Sequence, residues 1–273
     1  MSATSQIADV VPIDIRSSSR TLGRTVTRTG SFVTDQLGQA VDSLTDVATA
    51  GVRAATRRGA AEPSDATDDW GRDPALVRNM MLAAQLRWDV ATGGDQLLPK
   101  RAGALLVVNS PRFMLAPIFT AFAISEAVDR PVRFVGRPDS DLLGALGRRI
   151  GGLLDDPDEV AGALRADELV VLGAAPTQGS RDVGAFDHTV IGAAIATRKR
   201  VFPTATSSNA FGRRGRVEIG PATRPRRSRR GPLAELELAD RLRNDVAGLL
   251  TTMGDISTGT PLDWLPLSGM GSN

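Results

Sequence analysis

The sequence has no cysteine, no tyrosine and one histidine, His188. Each absence removes a class of chemistry. Without cysteine there are no disulfides, thiolate metal sites or thiol nucleophiles, which fits a reducing compartment. One histidine cannot build a multi-histidine metal site. No metal and no resident cofactor are expected. Aromatic residues make up 4% of the chain, so the core has to be built from Ala, Val, Leu and Ile. Lysine is nearly missing too: Lys100 and Lys199 are the two lysines among 33 basic residues. Almost nothing titrates between the carboxylates and arginine, so a net charge of only +2 carries the pI to about 9.8. That high pI is not a nucleic-acid signature, and nucleic acid is not expected as a partner.

No run approaches the roughly 18 apolar residues of a membrane-spanning helix. The opening "MSATSQIADVVPIDIR" carries Asp9 and Asp14 and no basic segment ahead of its short apolar patch. It reads as no signal peptide, and the expectation is a cytoplasmic protein. At 273 residues and 41% hydrophobic content, the chain can bury one sizeable core and still carry extensions.

Residues 1–67 read as a flexible extension. Its first 30 residues are rich in Ser, Thr and Arg with little periodicity. Between about 33 and 55, Val33, Leu37, Ala40, Val41, Leu44, Val47, Ala48 and Val52 fall at helical spacing. Such an amphipathic helix packs on its own domain or a partner, or lies on a membrane surface. "RRGAAEPSDATDD" is a polar linker. The folded domain is expected over 68–253, with an irregular tail at 254–273. Asp73-Pro74 is a cap and first-turn pair for a helix running to about Trp88. Strand-like runs follow at Ala104–Asn109, Val132–Gly136, Leu169–Gly173, Arg200–Ala205 and Val217–Gly220. They alternate with helix-like segments at Ile118–Val128, Leu142–Ile150, Glu159–Ala166 and Val190–Thr197, and a last helix spans Leu233 to about Met253. Alternation of this kind predicts an α/β domain with a mostly parallel central sheet flanked by helices.

Several chemistries are excluded by pattern. There is no Gly-x-x-x-x-Gly-Lys-Ser/Thr phosphate loop, no Gly-x-Gly-x-x-Gly between a strand and a helix, and no Gly-x-Ser-x-Gly nucleophile turn.

The order of the remaining pieces carries a resemblance. "DDWGRDPALVRNMMLAAQLRWDV" is followed by "GGDQLLPKRAGALLVVNS", then "RPVRFVG", "LLGALGRRIGGLLDDPDEVAGALRADELVVLGAA", "ATRKRVFPTATSSNA" and "RVEIGPATRP". Together, from about Asp68 to Met253, they resemble the glycerolphosphate/lysophospholipid acyltransferase family of bacteria. The resemblance implies that family's α/β fold. It also implies a place in phospholipid metabolism, with acyl-CoA or acyl carrier protein as donor if the chain is active.

The family's catalytic motifs are missing at the matching positions. Its second strand ends in Asn-His, and an Asp follows after four intervening residues. The His takes a proton from the acceptor hydroxyl and the Asp orients it. Here the strand ends in Asn109-Ser110, and Leu115 stands at the Asp position. Serine does not accept a proton near neutral pH, and leucine orients nothing. The family's Glu-Gly block falls on Ala174. Its phosphate-gripping Arg falls in "GGLLDDPDE", where Asp155 and Asp156 stand. The resemblance therefore implies a catalytically degenerate member, a lipid-binding or partner subunit peripheral to the inner face of the membrane. The alternatives are an active acyltransferase with displaced residues and an interaction protein without a ligand groove. His188, beside Asp187, is the candidate for a displaced base, and its plainer reading is a polar helix-start residue. Arg112, Arg137 and Arg181 are the candidate substrate contacts. Arg213, Arg214, Arg216, Arg224, Arg226, Arg227, Arg229 and Arg230 fall within 18 residues beside one acid, Glu218. They are candidates for contact with an anionic membrane surface, or else a solvated loop. "SPRFMLAPIFTAFAI" reads as a core helix or as one wall of an acyl-chain groove.

Overall fold

In the computed structural model, residues 67–87, 89–111, 115–139, 141–177, 179, 181–208, 214–224 and 231–254 are described. The expected helix at 33–55 and the tail beyond 254 lie outside them. The elements run α1 (Pro74–Arg87), β1 (Asp89–Gly93), β2 (Ala104–Val108), α2 (Ala116–Val128), β3 (Val132–Val135), α3 (Asp141–Arg149), β4 (Gly152–Leu153), α4 (Pro157–Arg165), β5 (Leu169–Gly173), α5 (His188–Ala196), β6 (Arg200–Ser208), β7 (Arg214–Ile219) and α6 (Pro232–Met253). The sheet order is β1-β7-β6-β2-β5-β3-β4. All its pairings are parallel except β6 with β7. The expected α/β class with a mostly parallel, helix-flanked sheet is what the chain adopts.

The central strands are buried on both faces, which is why they read as unbroken apolar runs. All five residues of β2 are buried. Side chains alternate across the sheet. Leu105 and Val107 of β2, with Val170 and Leu172 of β5, join α4, α5 and α6 in one core through Val160, Leu164, Ile191, Leu238 and Leu242. The opposite face is covered by α2, which packs on β2, β3, β5 and β7. Helix starts follow local capping chemistry. Asp73 accepts a hydrogen bond from the Leu76 amide at 2.9 Å. Asp156 accepts one from Asp158 N at 3.0 Å, with Pro157 in the first turn.

Two strands exceed the sequence expectation. β1 is a five-residue edge strand, Asp-Val-Ala-Thr-Gly, whose polar ends hide it. β4 has only two residues. β7 starts at Arg214 rather than Val217. Its Arg-Gly-Arg opening reads as loop, yet Arg214 and Arg216 face out while Val217 and Ile219 are buried. Gly215 has a packing reason: a Cβ there would lie 2.7 Å from the Phe119 ring.

Ion pairs tie the lead-in to α1 onto the sheet. Arg133 of β3, 1% exposed, bonds Asp68 at 2.6 Å and Glu168 at 3.3 Å. Arg149 bonds Asp73 at 2.6 Å. Burial, and then the Arg133 charge beside it, lowers the proton affinity of Arg72.

Candidate functional site

In an open parallel sheet, ligands sit beyond the carboxyl ends of the strands, where neighbouring connections leave in opposite directions. Here that point is the β2–β5 boundary. β2 connects through α2 to β3, on the β5 side of the sheet, and β5 connects through α5 to β6, on the β2 side. The residues at the boundary are Asn109 and Ser110 after β2, and Gly173 and Ala174 at the end of β5. The sequence located three of these, Asn109, Ser110 and Ala174, and the fold brings them together.

The boundary is filled by the chain itself. Ser110 is 2% exposed and Asn109 is fully buried. Ala174 N donates to Val108 O at 2.8 Å, and Thr177 N donates to Ser110 O at 3.2 Å. Pro111 and Thr177 form a parallel bridge beyond the named strands. From the α2 side, Pro117 closes in: a Cβ on Gly173 would lie 2.6 Å from Pro117 Cγ and 2.9 Å from Ser110 Oγ. Leu115 is the residue that opens α2. The segment over Ser110 is fixed in turn. Thr177 Oγ1 donates to Gly179 O and Asp182 O at 3.2 and 3.0 Å. Arg243 of α6 donates to Val183 O at 2.7 Å.

Asn109 serves the fold. Its amide nitrogen donates to Thr206 O at 2.9 Å, and its oxygen accepts from Thr206 N at 2.7 Å. The pair extends the β2–β6 ladder with a side chain where the backbone pairing ends.

His188 opens α5 and is half-buried. Its neighbour Asp187 is occupied by the helix cap, accepting from Thr189 N at 2.8 Å and Thr189 Oγ1 at 2.7 Å. Burial acts against ionisation of Asp187, but those bonds and the His188 charge outweigh it and hold its carboxyl below the usual range. Asp155, which follows β4, is on the surface. Partial desolvation, and then the Asp187 charge, push its carboxyl above the ordinary range. Nothing in the sequence signals that Asp155 shares a field with Asp187.

Arg137 lies just past β3 and is 7% exposed. It reaches Glu159 of α4 at 3.3 Å, and its aliphatic stem packs against Gly147 and Gly152. Arg181 lies elsewhere, in an open cleft of about 890 Å3 between the 177–184 segment and α6 that also holds Asp182, Asp240 and Arg243. Arg112, Arg213, Arg226, Arg227, Arg229 and Arg230 lie outside the described residues. The described part of the arginine cluster is split. Arg214 stands beside the β6 end at Ser208, whereas Thr223, just before Arg224, bridges Val201. Those ends are roughly 23 Å apart at the rise of an extended strand. Arg216 is paired with Glu218 at 3.1 Å.

Among the described residues no group of three or more His, Cys, Asp or Glu could hold a metal ion. No described helix is long and apolar enough to cross a membrane. No family model matches the sequence, and no curated protein matches it. The solved structure of the 1-acyl-sn-glycerophosphate acyltransferase PlsC from Thermotoga maritima is similar at 12% identity and a TM-score of 0.44, over 67% of this chain and 84% of that one.

Proposed function

We propose that this chain is a catalytically degenerate acyltransferase-like protein that acts as a lipid-binding or partner subunit at a membrane surface. One observation carries the loss of chemistry. The strand end where a general base would have to meet its substrate holds Ser110, 2% exposed and covered by Pro117 and the Thr177 segment. A missing base alone costs about 10²–10⁴-fold in rate, and here there is also no room for the acceptor hydroxyl. The membrane part rests on the arginine-rich stretch, which would draw the chain to anionic lipid by about 1 kcal/mol per basic residue near the surface.

The test is acyl transfer by the purified chain from a long-chain acyl-CoA to a lysophospholipid, read as CoA release. A Ser110→His/Leu115→Asp double variant runs beside it, with co-sedimentation on anionic vesicles. Both proteins should be silent in transfer, because restoring the motif does not open the crevice. The wild type should bind vesicles, and salt should weaken that binding. Turnover in the wild type would overturn the reading and direct attention to His188 and Asp187.

A second reading is an interaction protein with no ligand groove. The filled β2–β5 boundary favours it. It predicts that neither vesicles nor lysophospholipid are retained.

A further inference from the structure

We infer that the domain meets an anionic lipid bilayer through the amino-terminal end of its sheet, with the Ser110 end turned away from the lipid. The inference rests on the membrane part of the proposed function and gives it a face and an orientation. β2 to β6 all run the same way, so their amino ends lie together. The chain after β7 joins them, because Thr223 bridges Val201 in the antiparallel sense. Lys100 and Arg101 stand ahead of β2, Arg165 ahead of β5, and Arg198 and Arg200 at the start of β6. Arg224 lies opposite Arg200. All six are exposed, and among the described residues none has a carboxylate within ion-pair reach. Two more cations build the face. Arg130 donates to Pro99 O at 2.9 Å, Ala102 O at 3.3 Å and Asp167 O at 2.7 Å, and Lys199 bonds Asp167. The turns ahead of β2, β3, β5 and β6 are thereby stitched into one rigid surface.

The acids of this end are partly spent, Asp167 on Lys199 and Glu168 on Arg133. Asp95, Asp129 and Asp245 remain, and Asp245 accepts from the Thr223 hydroxyl at 2.7 Å. On α6, Arg241 donates to Arg224 O at 2.7 Å and is offset by Glu237 one turn before it. The balance is six exposed cations against three carboxylates. The opposite end has the reverse sign. Asp139 follows β3, Asp155, Asp156 and Asp158 follow β4, and Asp182 and Asp187 follow β5, all of them exposed. Against these six stand Arg181, Arg214 and the half-buried His188. The net charge of +2 thus hides a separation of charge along the strand axis. Screening turns that separation into an orientation. The Debye length is about 8 Å at physiological salt, whereas a strand of five residues such as β2 spans roughly 17 Å. A bilayer touching the basic end lies beyond reach of the acidic one. Shape favours lipid over nucleic acid. Ala104, Leu169 and Arg200 are level with one another, so no helix or ribbon projects as a groove reader would. No aromatic residue sits in these turns to stack on bases.

The experiment is co-sedimentation of the full chain with vesicles of phosphatidylglycerol and phosphatidylcholine, beside vesicles of phosphatidylcholine alone and a duplex DNA. Partition onto the anionic vesicles only is expected, reversed by salt. A basic residue near the surface is worth about fivefold in partition, so Arg165→Gln/Arg200→Gln should weaken binding by roughly 25-fold. Both side chains are exposed and unpaired, so the variant keeps its fold. Asp139→Asn/Asp182→Asn shifts the net charge by the same amount in the other sense at the far end, and should leave partition unchanged. The cysteine-free chain also takes one fluorophore at a time, on Ala102→Cys at the basic end or on Ala175→Cys at the acidic end, both exposed positions. A quencher on the lipid headgroup should dim the first label and spare the second. Equal and opposite shifts from the two paired variants would show that net charge alone binds, and would overturn the inference. Quenching at Ala175, or at both positions alike, overturns the orientation and leaves the membrane reading standing. No binding to anionic vesicles overturns both. DNA bound as tightly as the vesicles would make the face a general polyanion site, and equal partition onto phosphatidylcholine would remove charge from the recognition; either result overturns the inference.

Discussion

Asn109 and Thr206 exchange two hydrogen bonds, side chain to backbone, across the ends of β2 and β6. Both residues are buried, so water cannot replace either bond. Asn109→Ala would orphan a buried N–H and a buried C=O. The expected loss is about 2–4 kcal/mol, or a fall in Tm of roughly 2–4 °C per kcal/mol for a chain of this size. Urea unfolding followed by circular dichroism reads it. A loss well under about 1 kcal/mol would mean that the pair is incidental and that Asn109 is free for another role.

Arg133 sits nearly without solvent between Asp68 and Glu168, whose side chains are 29% and 20% exposed. Removing the cation strands two carboxylates, whereas removing one carboxylate leaves the other in place. Arg133→Met should therefore cost about 3–5 kcal/mol. Asp68→Asn should cost only about 1–2 kcal/mol, since that carboxylate is part-exposed and screened. Denaturant midpoints give the order. The reverse order would show that the Asp68 charge itself holds the lead-in, because asparagine keeps the Oδ1 that accepts from Trp70 N and Arg72 N.

Much of the fold could be read from local signals. β2 and β5 are unbroken apolar runs because both of their faces are covered. Asp73-Pro74 and Asp156-Pro157 marked two helix starts because capping is a matter of a few adjacent residues. β1 and β4 escaped, one being short and polar-ended, the other two residues long. At the β2–β5 boundary, Asn109-Ser110 at a strand end was visible in the sequence. That the place is closed was not, because closure depends on β5 lying beside β2 and on Pro117 and Thr177 arriving from sequence-distant segments. Nearness in sequence also hides distance within the arginine run: β7 and the residues after it run on antiparallel to β6, from Ser208 to Val201, which puts Arg214 and Arg224 at opposite ends of that pair.

Asp155 and Asp187 share a field. Asp155 has its pKa raised by partial desolvation and then by Asp187, so the folded state holds this proton more tightly than the unfolded chain does. Its contribution to stability is fully present below the ordinary carboxylate pKa of about 3.9 and is lost as pH rises through the raised value. Asp155→Asn should thus stabilise the protein at neutral pH and do nothing near pH 3. Thermal melts across pH 3–7 test this. A benefit that is the same at both ends would assign the effect to helix capping or solvation rather than to the charge.

Gly173 measures how full the β2–β5 boundary is. A methyl group there would lie 2.6 Å from Pro117 Cγ and 2.9 Å from Ser110 Oγ. A proline ring on a helix start cannot swing aside, so Gly173→Ala should cost about 1–3 kcal/mol by overpacking. Gly248→Ala in α6 is the contrast. It meets no atom within 4 Å and should gain about 0.5–1 kcal/mol from helix propensity. The clash is specific, so it should couple. In a Pro117→Ala background the cost of Gly173→Ala should shrink by about 1 kcal/mol, the size expected for residues in direct contact. A neutral Gly173→Ala would mean that this boundary opens easily in solution. A substrate could then reach Ser110, and the proposed loss of activity would no longer rest on lack of space.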